Sequence, residues 1–280
     1  MMKKDYEHIV TLWPAGREGK KRILVFSPHP DDDVIAMGGT IHRLVEQGHE
    51  VHIAYQTSGN IAVSDEDVEL YLQEHQELAA GNVLTIKGMV RRDEALAACL
   101  YNHIPEQQVH FLNMPFYETG QVEKKPLGEE DIAIIHSLLE QVKPHQIYMA
   151  GDFNDPHDTH RKCTEAIVRA LKEVKDSSSS AANKSWVDSC QIWLYNGAWD
   201  EWPLEQIDMA VPMTQEELMH KRGAILKHQS QMENAPYKGD DQRLFWQRSE
   251  QRNRKTAQQF AEQGVKPHYE AMEAFVEYSL

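Results

Sequence analysis

The chain has 280 residues, with 29 Lys and Arg against 44 Asp and Glu, and its formal net charge at pH 7 is −15. A chain this acidic lacks the basic face that nucleic-acid binding needs, so we expect no nucleic-acid partner. It contains no apolar run of the ~18 residues that span a membrane and no recognisable leader peptide, so we expect a cytoplasmic protein without a membrane span.

Strand-like and helix-like segments alternate along the chain. The apolar run KRILVF at 21–26 predicts a buried strand, the apolar spacing over 35–47 a helix, and the alternating segment EVHIAY at 50–55 a second strand. The remaining predicted elements are helices at 65–80 and 89–101, a strand at 109–112, a helix at 129–142, a strand at 146–150, a helix at 164–174, strands at 191–195 and 207–211, and helices at 214–228 and 241–262. This alternation predicts an α/β fold of the Rossmann-like, doubly wound type, with a mainly parallel sheet and helices on both faces.

The whole chain, residues 1–280, is expected to form a single domain. Residues 1–20 precede the first predicted strand and form an N-terminal extension. The polar, low-complexity segment DSSSSAANKS at 176–185 predicts a flexible loop within that domain.

Two loops rich in His and Asp each follow a predicted strand. The first is SPHPDDD at 27–33, after the first strand, and the second is GDFNDPHDTH at 151–160, after the strand at 146–150. In doubly wound sheets, ligands bind at the carboxyl ends of the strands, where the strand order reverses. We therefore expect the two loops to open on the same edge of the sheet and to form one site.

The residue types in these loops are those of a catalytic metal site. Zinc binds His nitrogen and carboxylate oxygen, and a catalytic zinc keeps three protein ligands and one open position. One His and one Asp of the first loop, with one His of the second, would complete that set. A remaining Asp could then serve as a base, and a remaining His could protonate a leaving amine. The competing interpretation is that Asp31–Asp33 only favour the start of the following helix, which we expect of Asp33 in particular.

The segment SPHPDDDVIAMGGT, together with PHDTH, resembles the PIG-L/LmbE-like N-deacetylases. TSGN at 57–60, RRDE at 91–94 and HQSQ at 228–231 extend the resemblance over nearly the whole chain. More narrowly, YQTSGNIAV, FYETG, KPHQIYMAGD and LKHQSQM look like the PIG-L-type domain that some bacteria carry fused behind glucosamine-6-phosphate deaminase. The deaminase half itself has no counterpart in this sequence.

The resemblance implies a role for each matching residue. His29, Asp32 and His160 would bind zinc (Zn²⁺), with iron(II) or another divalent metal as the alternative. Asp31 would be the general base, and His157 the acid or electrostatic catalyst. The residues implied to contact the substrate are Arg91, Thr57, Ser58, Asn60 and His228. For His228, a plain position on a helix surface is equally compatible with the sequence.

The implied reaction is hydrolysis of the N-acetyl group of an N-acetylglucosamine-type sugar or a derivative, with or without a phosphate. If the substrate is phosphorylated, the cations available to bind the phosphate are Lys87, Arg91 and Arg92. The alternative is a non-catalytic sugar- or metal-binding module that accompanies a glucosamine-6-phosphate deaminase. Because family members often self-associate, we also expect a homo-oligomer, and the narrower resemblance implies a functional link to the deaminase.

Two positions depart from the family pattern. Thr159 replaces an Asp that would orient the catalytic His, and the sequence offers Asp152, Asp155 and Asp158 as substitutes. Phe116 and Tyr117 stand where an Asp would contact the sugar, and Tyr117 and Glu118 are the candidates to replace it.

Overall fold

The computed structural model describes residues 5–16, 18–152, 158–177, 186–197, 201–232, 241 and 243–280. The strands within these ranges are β1 (Arg22–Ser27), β2 (Glu50–Tyr55), β3 (Val109–Phe111), β4 (Gln146–Ala150), β5 (Gln191–Tyr195), β6 (Met209–Met213) and β7 (Ala271–Glu277). The α-helices are α1 (Asp32–Glu46), α2 (Asp65–Glu74), α3 (Val83–Tyr101), α4 (Glu129–Val142), α5 (Thr159–Ser177), α6 (Gln215–Ile225) and α7 (Phe245–Glu262).

The seven strands of the described chain form one sheet in the order β3-β2-β1-β4-β5-β7-β6. The pairs from β3 to β5 are parallel, whereas β7 runs antiparallel to both β5 and β6. The strand order reverses between β1 and β4, which are hydrogen-bonded neighbours. The predicted Rossmann-like, mainly parallel sheet is therefore confirmed, and the two His/Asp-rich loops follow the two strands at its switch point.

Helices cover both faces of the sheet. Apolar residues of α4 and α5 pack on one face, and those of α1 and α3 pack on the other. The periodicity of α4, with Ile132, Ile135 and Leu139 buried, gives the helix one apolar stripe towards the strands. No helix in the described part of the chain is long and apolar enough to cross a membrane.

Three boundaries differ from the prediction in ways that affect the site. α5 begins at Thr159, so His160 lies in the first turn of a helix rather than in the preceding loop. α3 begins at Val83, six residues before the predicted start, because the side chain of Asn82 accepts hydrogen bonds from the amides of Leu84 and Thr85. Strand β7 was not predicted, because the composition of AMEAFVE favours a helix.

Part of the predicted N-terminal extension packs against the sheet. Val10 forms an isolated parallel bridge with Ala210 of β6, and the amide of Thr11 donates to the carbonyl of Ala210 at 2.8 Å. Of the loop predicted at 176–185, the first two residues complete α5 and the others lie outside the described residues.

Helix α1 is interrupted at Met37, whose φ of −140° and ψ of 27° are not helical. The interruption removes helical partners from backbone groups on both sides, and buried side chains replace them. The carboxylate of Glu273 accepts from the amides of Gly39 (2.9 Å) and Thr40 (2.6 Å), and the carbonyl of Ile35 accepts from the hydroxyl of Ser249 (2.7 Å). Residues of β7 and α7 thus fix the first turn of α1, which carries Asp32.

Candidate metal centre

The loop after β1 turns sharply into α1 and brings its acidic residues inward. Asp31 has a φ of 137°, a region that residues other than glycine seldom occupy. The amide of His29 donates to Oδ2 of Asp32 at 2.9 Å, which closes the loop on the first turn of α1. Asp31 and Asp32 are both buried, at 6% exposure each.

The start of α5 is fixed to the end of β4 next to it. The hydroxyl of Thr164 donates to the carbonyl of Ala150 at 2.7 Å, and the side-chain amide of Gln56, which follows β2, donates to the carbonyl of Cys163 at 3.1 Å. These bonds hold the first turn of α5 over the switch point. His160, on that turn, therefore faces the loop that follows β1.

His29, Asp32 and His160 form a compact set of ligand atoms. Nδ1 of His29 lies 3.2 Å from Oδ2 of Asp32 and 3.2 Å from Nε2 of His160, and Nε2 of His160 lies 3.2 Å from Oδ2 of Asp32. Tetrahedral ligands at ordinary Zn–N and Zn–O distances are about 3.3 Å apart. Two imidazole nitrogens and one carboxylate oxygen at this spacing fit three corners of a metal site, so the triad could hold a divalent ion.

Asp152, which follows β4, binds the other nitrogen of His160. Its Oδ2 lies 2.7 Å from Nδ1 of His160, so the ring is held with Nε2 directed at Asp32 and His29. Carboxylate partners of this kind orient metal-binding His residues and increase their basicity. Asp152 was one of three candidates to orient a catalytic His, and the structure places it on His160. Asp158 instead forms exposed ion pairs with Arg161 and Lys162.

Burial and pairing divide the charges within the triad. Burial lowers the pKa of His29. For His160, burial also acts to lower the pKa, but Asp32 and Asp152 outweigh it and raise the pKa well above its ordinary value. Burial acts to raise the pKa of Asp32, and the pairing with His160 and His29 reverses this and lowers it. The carboxylate of Asp32 is therefore ionised and available as a ligand.

Asp31 is adjacent to Asp32 in sequence but has different partners. Its Oδ1 lies 3.1 Å from Nη2 of Arg91, whose side chain is 2% exposed. Burial raises the pKa of Asp31 to about 8, although Arg91 acts in the opposite direction. Arg91 also donates to the carbonyls of Pro30 and Gly59, so it ties the loop after β1 to the loop after β2. Gly59 is required there, because its φ is 60° and a Cβ would lie 3.1 Å from Nη1 of Arg91.

Asp33 points away from the triad into the protein. Its carboxylate accepts from the hydroxyls of Tyr55 at 3.1 Å and Ser27 at 3.3 Å, and its burial raises its pKa to about 6. Asp33 therefore anchors the start of α1, which agrees with a structural rather than a ligand role for this one of the three aspartates.

The residues predicted to contact substrate fall into two groups. Ser58 and Asn60 line a pocket beside α3, whereas Thr57 is 2% exposed and donates to the carbonyl of Pro28 at 2.7 Å. Arg91 is likewise enclosed by the loops that it joins. The structure thus places Thr57 and Arg91 behind the site, where they position its loops. His157 lies outside the described residues.

His228 is completely buried, so the interpretation as a helix-surface residue is wrong. It follows the end of α6, and neither ring nitrogen has a hydrogen-bond partner among the described residues. Burial, with a further contribution from Arg91, lowers its pKa to about 3. The nearby Ser230 donates from its amide (2.6 Å) and hydroxyl (2.7 Å) to Glu94, which ties this segment to α3.

The two departures from the family pattern lie beside the triad. The hydroxyl of Thr159 accepts from the ammonium of Lys124, which also lies 5.2 Å from the ring centroid of Tyr117. The Tyr117 ring meets the His29 ring edge-on, at 6.0 Å between centroids. Glu118 accepts from the amide (2.7 Å) and hydroxyl (3.0 Å) of Ser58. The sequence did not indicate the role of Lys124, which is distant along the chain from both loops.

A pocket of about 570 Å³ lies between α3 and the loops after β2 and β3. Its wall includes Pro30, which separates His29 from Asp31 in the sequence. The wall also includes Ser58, Asn60, Arg92, Phe111 and Glu118.

A scan against protein families matches residues 24–171, more than half of the chain, to the PIG-L family, described as GlcNAc-PI de-N-acetylase. A putative glucosamine-6-phosphate deaminase-like protein of Bacteroides thetaiotaomicron is 48% identical over 98% of the chain, which spans 47% of that relative's length. The 1D-myo-inositol 2-acetamido-2-deoxy-alpha-D-glucopyranoside deacetylase of a Mycobacterium species is 24% identical, over 80% of this chain and 78% of the relative.

Solved structures share the fold at low identity. The N,N'-diacetylchitobiose deacetylase of Pyrococcus horikoshii superposes with a TM-score of 0.63 and 18% identity, over 93% of this chain and 85% of the other. The 4-carboxy-2-hydroxymuconate hydratase GalB of Pseudomonas putida superposes with a TM-score of 0.65 and 17% identity, over 93% of this chain and 97% of the other. The fold alone thus serves more than one reaction. Because the family model covers more than half of the sequence, and because the two motif loops meet at the switch point, this chain belongs to the PIG-L family.

Proposed function

We propose that this protein is a metal-dependent hydrolase that removes the N-acetyl group from an N-acetylglucosamine-type sugar. The observation that carries the proposal is the triangle of His29, Asp32 and His160 with the carboxylate of Asp31 beside it. The triangle provides three ligands, and Asp31 provides a separate acid–base group. Relatives named as deacetylases of GlcNAc-type compounds support the choice of substrate.

His29, Asp32 and His160 would hold the metal ion, and we propose zinc. When bound, such an ion acts as a Lewis acid that polarises a carbonyl and makes water more acidic. Two His and one carboxylate are also a ligand set that iron(II) uses, so iron is the alternative metal. Asp152 holds the ring of His160 so that its Nε2 is directed at Asp32 and His29.

Asp31 is proposed to be the general base. It lies next to the ligand Asp32 but is not part of the triangle, so its carboxylate can accept the proton of the attacking water. Arg91, at 3.1 Å, holds this carboxylate in position and balances its charge. The strained backbone at Asp31 supports this assignment, because such strain persists mainly where function requires the geometry.

His157 is proposed to protonate the leaving amine. This assignment rests on the resemblance of PHDTH to the family motif; His157 precedes His160 by three residues in the sequence. Ser58 and Asn60 are proposed to contact the sugar, since both line the pocket beside Pro30. Arg91, Thr57 and His228 are proposed to support the loops that carry these groups.

The second candidate function is a sugar- or metal-binding module that accompanies a glucosamine-6-phosphate deaminase. One observation favours it: the relative named for that deaminase is about twice as long as the part that this chain matches. A functional link to the deaminase and a homo-oligomeric state are compatible with either function and remain proposals. A cytoplasmic location also remains a proposal, supported by the three free cysteines.

Acetate release from N-acetylated amino sugars by metal-free and zinc-loaded protein tests the main proposal. We expect release that stops with a chelator and returns with zinc or iron(II). An Asp188→Asn variant, altered on a surface turn, serves as the control and should match the unaltered protein. Sugar binding without any acetate release by the metal-loaded protein would favour the binding module instead.

A further inference from the structure

We propose that the pocket between α3 and the loops after β2 and β3 binds an anionic substituent of the amino-sugar substrate, and that Arg92 is the cation that recognises it. This inference rests on the proposed function, because it takes the N-acetyl group of the same sugar to lie at the triad. It narrows the substrate class to amino sugars that carry a phosphate or a carboxylate.

One residue of the pocket wall belongs to the loop that carries the proposed metal ligands. Pro30 forms part of the pocket wall, and the residues on either side of it are the ligand His29 and the proposed base Asp31. The pocket volume of about 570 Å³ is within the ordinary range for small-molecule sites. The proposal places the N-acetyl group at the triad and a substituent of the same sugar in this pocket.

Arg92 presents a fixed cation to this pocket. Its guanidinium carbon lies 4.1 Å from the centroid of the Phe111 ring, and that ring stacks on Tyr55 with 5.3 Å between centroids. Stacking on an aromatic face restrains the guanidinium plane while its N–H groups stay available. Among the described residues, no carboxylate lies within ion-pair distance of Arg92, although its side chain is exposed at the pocket.

The other two cations considered for a phosphate are already engaged. Arg91 is buried and pairs with Asp31, and Lys87 pairs with Asp65 at 2.7 Å. Neither therefore has the freedom that Arg92 has to bind an external anion. Arg92 is the member of the three that the pocket itself contains.

Hydrogen-bond acceptors also belong to residues that line the pocket. Asn60 is 7% exposed, and its buried Oδ1 has no partner among the described residues. Glu118 already accepts two hydrogen bonds from Ser58. The carboxylate of Glu118 suits the hydroxyl groups of a sugar, and its negative charge disfavours an anion next to it. A ligand with hydroxyls towards Glu118 and an oxyanion towards Arg92 satisfies both residues.

Phosphate and carboxylate share the planar pair of oxygens that a guanidinium binds through two hydrogen bonds. The test uses deacetylated sugars, which bind without being hydrolysed. The probes are glucosamine, glucosamine 6-phosphate, glucosamine 1-phosphate and muramic acid, titrated calorimetrically into the zinc-loaded protein. We expect at least one anionic probe to bind about tenfold more tightly than glucosamine, the gain typical of one charge-assisted pair. The probe that binds best identifies the anion and its position on the sugar.

Variants assign the preference to Arg92. Arg92→Gln should bring the anionic probes to the affinity of glucosamine and leave glucosamine unchanged, and Arg92→Lys should keep part of the preference. Arg169→Gln is the matched control, because it removes an exposed cation of α5 that is paired with Glu129 of α4, and it should change nothing. Equal affinity for all four probes, or a preference that persists in Arg92→Gln, would overturn the inference.

The same proteins are then assayed for acetate release from the N-acetylated forms of the four probes. An Arg92-dependent preference in binding without any acetate release would contradict the proposed function and leave the anion site standing. Acetate release without an Arg92-dependent preference would support the proposed function and overturn the anion site.

Discussion

Two adjacent aspartates of one loop differ because their neighbours differ. Oδ2 of Asp32 lies within 3.2 Å of two imidazole nitrogens, whereas Oδ1 of Asp31 faces the guanidinium of Arg91. A backbone reversal between them, with the φ of Asp31 at 137°, sends the two side chains to different partners. One loop thereby carries both the proposed ligand and the proposed base.

The two aspartates should respond differently to the same isosteric change. Asp31→Asn removes the base, so we expect kcat/KM to fall by about 10²–10⁴ while the bound metal is retained. Asp32→Asn removes an ionised ligand, so metal and activity should be lost together. Metal content measured by elemental analysis, alongside acetate release, separates the two effects. Full activity in Asp31→Asn would exclude it as the base.

His228 should make the stability of the fold depend on pH. Burial lowers its pKa to about 3 in the folded state, whereas in the unfolded chain the pKa is about 6.5. Below pH 6.5 the unfolded chain binds a proton that the folded protein does not, so the free energy of unfolding falls as the pH falls from 6.5 towards 3. At pH 5 the His228 side chain should lower the free energy of unfolding by about 2 kcal/mol.

Urea unfolding at pH 5, 6 and 7 measures this dependence. In His228→Asn the free energy of unfolding should vary less steeply with pH, by up to about 1.4 kcal/mol per pH unit. Because the slope is compared rather than the absolute stability, a constant loss caused by the substitution does not affect the result. Equal slopes would mean that His228 takes up its proton without unfolding.

Some of the site could be read from the sequence, and some could not. The residue types of HPDDD and PHDTH indicated a metal site, because ligand chemistry limits the residue types, and the family resemblance then selected His29, Asp32 and His160. The roles of Asp152 and Lys124 depend on contacts made only after folding. Arg91 was predicted to meet substrate, but a long cationic side chain can equally turn inward, and the carbonyls of Pro30 and Gly59 receive it.

At the scale of whole elements, the position of α1 depends on a carboxylate from the last strand. Glu273 is fully buried, accepts from the amides of Gly39 and Thr40, and also receives the ammonium of Lys221 at 2.7 Å. The ammonium of Lys221 also donates a hydrogen bond to Oδ1 of Asn253 at 2.8 Å. The carboxylate of Glu273 therefore binds backbone amides of the interrupted helix α1 and the ammonium of Lys221 on α6.

We expect Glu273→Gln to destabilise the protein by about 3–5 kcal/mol, because it leaves the ammonium of Lys221 buried without an opposite charge. The double variant Lys221→Met with Glu273→Gln removes both charges and should recover part of this loss. Chemical unfolding of the two single variants and of the double variant gives the coupling free energy between the two side chains. Additive losses would show that the two side chains do not act together.

The elements that could be predicted are those with a clear period. The apolar stripe of α4 and the short apolar runs of β1, β2 and β4 were located closely, because each pattern buries its apolar side chains in only one kind of secondary structure. β7 was missed because Ala, Met and Glu favour helices, and its pairing with β5 and β6 overrides that preference. The interruption at Met37 follows from distant contacts with Glu273 and Ser249, which no local window contains.

At the scale of the whole molecule, bound metal should stabilise the fold. His29 and His160 are 131 residues apart in the sequence, so the complete ligand set exists only in the folded chain. A free metal concentration of a thousand times Kd should add about 4 kcal/mol to the free energy of unfolding. Thermal melts with zinc and with a chelator measure the difference, which should vanish in Asp32→Asn. Equal melting temperatures for the unaltered protein would contradict a metal site at the triad.

The separation of the two ligand loops also has a consequence during synthesis. The loop after β1 is synthesised before the loop after β4, and it meets its counterpart only after β4 has docked beside β1 and the first turn of α5 has formed. A nascent chain that ends before His160 therefore has only two of the three residues of the triad. Metal binding by the full triad would therefore occur only after β4 has paired with β1, and it would hold together two segments that are synthesised at different times.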